Sequence, residues 1–263
     1  MKSITKKIAI ILVLIALVNV SCKKDTTSPT PEPEPAPANG SAVLHLHTNV
    51  DTIEVADYDS IYVMASGRKI SISIAQLYIS NIQLVKADGS TVDISGLTIA
   101  KTQPIEEYML GSVPAGNYKS IRFNVGLSPA SNALLPEPSD STFYKPNMWF
   151  GNTVQPWNGY VFVNFQGKID TSNAANGTIA GMQTFSYRIG TDSHLKSVSM
   201  PDQNYTISPD QTQFIHIVID YNKLFNGIIL NGNSNLNVLS PLDNTSSISN
   251  QIANNISSMF IYQ

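Results

Sequence analysis

His45 and His47 stand two residues apart in VLHLHTNV (residues 43–50), where they alternate with Leu44 and Leu46. On a strand, residues at that spacing point the same way, with Cβ atoms roughly 6.5–7 Å apart, so two imidazoles can converge on one metal ion. The same pair would also suit the wet face of an edge strand, and the local pattern leaves both readings open. His194 follows Gly190-Thr191-Asp192 in a loop, as ligand or as plain surface. His216 sits among Phe214, Ile215, Ile217 and Val218, where a core or outward-facing strand histidine is the commoner case. Imidazole joined by thioether or other soft donors would suit copper better than magnesium or calcium.

Signatures of turnover are missing. The chain has no G-x-S-x-G, no P-loop, no G-x-G-x-x-G and no H-E-x-x-H, which removes the nucleophile elbow, both phosphate cradles and the zinc-protease helix. Asp57 and Asp59 form a D-x-D without the glycine and distal glutamate of a calcium loop. Glu106 and Glu107 are adjacent, so on a strand they face opposite ways and read as surface rather than as a catalytic pair. No enzymatic activity is expected.

Cys22 is the only cysteine. A basic start (Lys2, Lys6, Lys7) and an apolar run from Ile8 to Val18 precede it. That run is too short for a membrane span, which takes about 20 residues, but it fits the core of a signal peptide. Val20-Ser21-Cys22 looks like a bacterial lipobox, with Asn19 where Leu is usual. The expected organisation is a lipoprotein signal peptide over residues 1–21, a lipidated tether over 22–41 and one domain over 42–263. Lys23 after the cysteine favours the outer membrane, on its periplasmic or its cell-surface side. The tether, DTTSPTPEPEPAPANG, has the composition of extended polyproline II. Without further cysteines the fold rests on its hydrophobic core.

Charge excludes one class of partner. Sixteen basic residues stand against 19 acidic ones, and losing Lys2, Lys6 and Lys7 leaves 13 against 19, or −6. With no basic cluster, nucleic acid is not an expected partner.

The elements positioning these side chains are strands. Alternating or β-branched runs are expected over 43–50, 61–64, 70–85, 91–94, 118–125, 160–165, 184–189 and 214–221. Ser66-Gly67, Asp88-Gly89 and Pro114-Ala115-Gly116-Asn117 supply turns. Ile248, Ile252, Ile256, Met259 and Phe260 recur at helical spacing, with Ser246 or Ser247 placed to cap. About eight to ten strands in an all-β, antiparallel sandwich or barrel-like domain with a short C-terminal helix are predicted.

Longer segments carry a family resemblance. In order these are IAQLYISNIQL (74–84) before Asp88-Gly89, GNYKSIRFNVGLS (116–128), and Met148-Trp149 ahead of Trp157-Asn158-Gly159-Tyr160-Val161-Phe162. Phe165-Gln166-Gly167, Phe185-Ser186-Tyr187-Arg188-Ile189-Gly190, IDYNKLFNG (219–227) and QIANNISSMF (251–260) follow. Together they resemble the MbnP-like copper-binding family of exported bacterial proteins, many of them lipoproteins of Bacteroidetes.

That resemblance implies a β-sandwich-like domain that binds copper, sometimes beside a di-haem peroxidase-like partner that oxidises a tryptophan. Carried over, the family's strand histidine falls on His47 and its paired tryptophans on Trp149 and Trp157. The histidine of its F-x-[FY]-H-I-G segment falls on Arg188, whose guanidinium has no lone pair for a metal. Two readings follow. In one, copper is kept at a rearranged site of His47, His45 and His194 with Met148 or a tryptophan nearby, for sequestration or delivery. In the other, the scaffold has become a metal-free surface lipoprotein that holds a glycan or protein through its aromatic loop.

Overall fold

The computed structural model describes residues 38–136, 145–151, 159–232 and 234–263. The signal segment, Cys22, most of the tether and Trp157 lie outside those residues.

Among the described residues the strands are β1 (Asn39–Val50), β2 (Ile53–Glu54), β3 (Ile61–Val63), β4 (Lys69–Lys86) and β5 (Thr91–Asp93). Next come β6 (Ile99–Lys101), β7 (Ile105–Pro114), β8 (Gly116–Val125), β9 (Val161–Ile169) and β10 (Gln183–Gly190). The last are β11 (Lys196–Ser199), β12 (Tyr205–Ile207), β13 (Thr212–Asp220), β14 (Asn237–Val238) and β15 (Phe260–Tyr262). A single helical turn, α1, covers Pro129–Asn132, and the longer helix α2 covers Ser247–Asn255.

The fold is all-β, as the short alternating runs predict, and it consists of two sheets around one core. In the smaller sheet β1 is central, flanked by β13 on one side and by β7 and the short β2 on the other, with β15 beyond β13. The larger sheet runs β11-β8-β4-β9-β10-β14, with β12 beside β8 and β3, β5 and β6 beside β4. Pairing is not purely antiparallel: β1 runs parallel to β13, and β10 parallel to β14. Period-2 alternation cannot report strand direction, because it describes one strand's faces and not its neighbour.

The core is built from the inward faces. Leu44 and Leu46 of β1 and Ile217 and Ile219 of β13 are fully buried, together with Leu77 and Ile79 of β4 and Phe165 of β9. Each such side chain contributes about 1.5–3 kcal/mol on leaving water. Phe165 also contacts the ring of Tyr221 at 4.7 Å and that of Phe185 at 5.0 Å. These contacts stitch the strands to the 3₁₀ turn at Tyr221–Phe225.

The C-terminal helix begins where its cap predicts: Ser246 accepts from the Ser249 backbone N–H at 3.3 Å. It is shorter than the periodicity suggests. Ile256–Met259 tighten into a 3₁₀ turn and Phe260 belongs to β15, which pairs with β13. The apolar spacing persists across that change because Ile252, Ala253, Ile256 and Met259 are all fully buried.

Candidate metal centre

Alternation along β1 decides which side chains meet. Leu44 and Leu46 face the core, so His45 and His47 face outward together. On β13, Ile215 and Ile217 face inward, so His216 faces outward as well. Parallel register sets His45 opposite His216 and His47 opposite Val218. β1 is therefore not the edge strand that would simply wet its histidines; it lies between two neighbours.

Three imidazoles converge. Ring centroids lie 4.2 Å apart for His45 and His47, 4.8 Å for His45 and His216, and 5.9 Å for His47 and His216. One nitrogen from each lies within 4.8 Å of the others. Nitrogens bound to one tetrahedral metal at about 2.05 Å stand roughly 3.3 Å apart, so modest side-chain rotation would close the set. His47 is buried, His45 is half-buried and His216 is exposed, which gives the site a floor and an open mouth.

Two carboxylates back the rings. β7 runs antiparallel to β1 and places Glu107 opposite His45, with Oε1 3.9 Å from Nδ1. Glu54, on β2, lies 2.8 Å from Nδ1 of His47 through Oε2. The other nitrogen of His47, Nε2, is buried and has no hydrogen-bond partner. An orphaned buried nitrogen is costly unless something supplies its partner, and a metal ion is one such group. The pKa of His45 is lowered by burial first, then by His47 and His216, while Glu107 and Glu54 pull the other way. Its lone pair is thus exposed to less proton competition than that of a free imidazole. The donor set fits a borderline transition metal.

His194, Met148 and Trp149 are held by other contacts. His194 is buried, with Nδ1 2.8 Å from the Gly190 carbonyl and 3.0 Å from Oδ1 of Asn244. Its Nε2 lies 3.1 Å from Oδ1 of Asn250. Both ring nitrogens are engaged, so His194 clamps the end of β10 onto the segment leading to α2. Met148 is buried in a satellite cluster with Tyr78, Leu127, Tyr160 and Phe162. Trp149 packs edge-to-face on Tyr160 at 4.8 Å and bridges to it through the backbone.

Arg188, at the position where a family histidine falls, donates to the Trp149 carbonyl at 2.8 Å and to the Leu239 carbonyl at 3.3 Å. Its guanidinium also lies 5.1 Å from the Phe150 ring centroid. It ties the Trp149 segment to β10.

The family model for MbnP matches residues 39–244, and the chain belongs to the MbnP family. Among solved structures, MbnP from Methylosinus trichosporium is similar with a TM-score of 0.49 and 14% identity. That match covers 76% of this chain and 83% of that one. No curated protein matches.

Proposed function

We propose that this MbnP domain binds one copper ion through His45, His47 and His216, and that it holds or hands over the metal rather than turning over a substrate. The convergence of three imidazole nitrogens within 4.8 Å carries the reading. Membership of the MbnP family supports copper as the metal. So does the donor chemistry, since imidazole binds copper strongly and copper(II) tops the divalent affinity order. Bound there, copper would be cargo at an accessible sheet face, reached through the exposed His216. Lipidation at Cys22, with the Pro/Glu-rich tether behind it, would keep that face near a membrane outside the cytoplasm.

The test is a copper titration of the metal-free protein, with bound metal counted by elemental analysis. About one tightly held copper per chain is expected. His47→Ala should lose it with little change in the thermal transition. Copper retained at full affinity by a variant lacking all three histidines would sink the assignment.

A further inference from the structure

His47 is the buried member of the triad, and its ring is held in a fixed sense. Only one of its nitrogens has a partner: Nδ1 meets Oε2 of Glu54 at 2.8 Å, while Nε2 is buried with none. An ionised carboxylate can only accept, so this contact requires a proton on Nδ1. In the neutral ring the lone pair must then sit on Nε2.

The hairpin that delivers Glu54 is built for that contact. Asp51 takes a positive φ of 56° at the turn, and its backbone N–H donates to Oδ1 of the buried Asp220 at 2.8 Å. Beyond the turn, Val55 N–H donates to the Thr48 carbonyl at 2.8 Å. Register then sets Glu54 opposite Asn49, on the outward face shared with His45 and His47. Glu107 is a different case, because at 3.9 Å its carboxylate is beyond hydrogen-bond reach of His45.

We propose that Glu54 is the positioning residue of the three-histidine centre: it holds His47 as the Nδ1–H tautomer and aims its Nε2 lone pair at the metal. The role rests on the copper reading above. Glu54 touches no metal itself. It fixes the orientation of the one ligand that is too buried to be turned by solvent, and it makes that imidazole more electron-rich.

The test starts with the intact, metal-free wild-type protein. Histidine ¹⁵N NMR should show His47 protonated at Nδ1 and bare at Nε2. Glu54→Ala should shift His47 toward the Nε2–H form preferred by free imidazole, and should weaken copper binding about 10- to 100-fold. Glu107→Ala, the control, should leave the His47 tautomer unchanged. Glu54 is partly exposed, with 44% of its side-chain surface open, so neither substitution should disturb folding.

A wild-type His47 protonated at Nε2 would overturn the proposal without any variant. So would a tautomer unmoved by Glu54→Ala, or one that moves with no loss of affinity. Failure of wild-type protein to bind copper would remove the centre itself, a separate result from the tautomer measurement.

Discussion

His45 and His216 stand directly opposite each other on parallel strands, with ring centroids 4.8 Å apart, although they come from opposite ends of the domain sequence. The His45 pKa is lowered by burial first and then by the neighbouring imidazoles, His216 among them. His216→Ala should therefore raise the His45 pKa toward its ordinary value near 6.5 in an NMR titration. The same variant should lose copper affinity by more than about 100-fold, beyond what losing a mere orienting partner costs. Because His216 is exposed, the thermal transition should hardly move. An unchanged His45 titration would mean that the two rings do not sense each other in solution.

His194 should behave in the opposite way. It is buried, and both ring nitrogens are engaged with Gly190, Asn244 and Asn250. Asn244 in turn donates to the carbonyls of Arg188 and Ser240 and accepts from Gly190 N–H. Replacing His194 with Ala leaves a hole and unpaired acceptors, at a cost of about 2–4 kcal/mol. Copper stoichiometry should stay at the wild-type value. A His194→Ala protein of normal stability that no longer binds metal would return His194 to the ligand set.

The contrast between these two histidines shows what the sequence could reveal. His45-x-His47 was legible because period-2 alternation is a property of one strand. His216 was readable only as a core or outward-facing strand residue, because its neighbours Phe214, Ile215, Ile217 and Val218 are apolar on both faces, and nothing local says that β13 runs parallel beside β1. β4 was legible almost residue for residue, 70–85 against Lys69–Lys86, because its β-branched run is long. β7 was missed. Its Glu106 faces inward, where Thr102 N–H and the Tyr108 hydroxyl both donate to its Oε2 at 2.7 Å. A partly buried carboxylate whose hydrogen bonds are satisfied breaks the apolar alternation that marks a strand.

Membrane attachment can be tested through one atom. If the Cys22 thiol carries the lipid, Cys22→Ser should move the protein from membrane to soluble fractions with the domain still folded. Continued membrane association of that variant would point to an uncleaved signal anchor.

Gly167 is required by space rather than by backbone angle. It lies on β9 opposite Ile72 of β4, beside the irregularity between Ile72 and Ile74. A Cβ there would sit 1.9 Å from the Ser71 carbonyl oxygen. That oxygen is backbone, so the strands themselves would have to part. Gly167→Ala should cost roughly 3 kcal/mol or more in chemical denaturation. A loss below about 1 kcal/mol would show that the β4–β9 pairing can slide to make room.

Lys101 gives the fold an unusual alkaline signature. Its ammonium is fully buried, donating to Thr48 Oγ1 at 2.7 Å and to the Gln103 carbonyl. Burial lowers its pKa to about 8, against a smaller opposing pull from Glu106. In the unfolded chain the value returns to about 10.4. Between those limits the unfolded state holds a proton that the native state has released, so stability rises with pH. The slope is at most about 1.4 kcal/mol per pH unit, and a net gain of order 1–3 kcal/mol is expected between pH 8 and 10. Above about pH 10 the sign reverses, because burial raises the pKa of Tyr58 and of Tyr108, so the folded state holds protons that the unfolded state loses. Denaturant unfolding at pH 7, 8, 9 and 10 would check the rise, with Lys101→Met as the variant that should lack it. A flat wild-type profile would mean that Thr48 and the surrounding carbonyls keep the ammonium charged throughout.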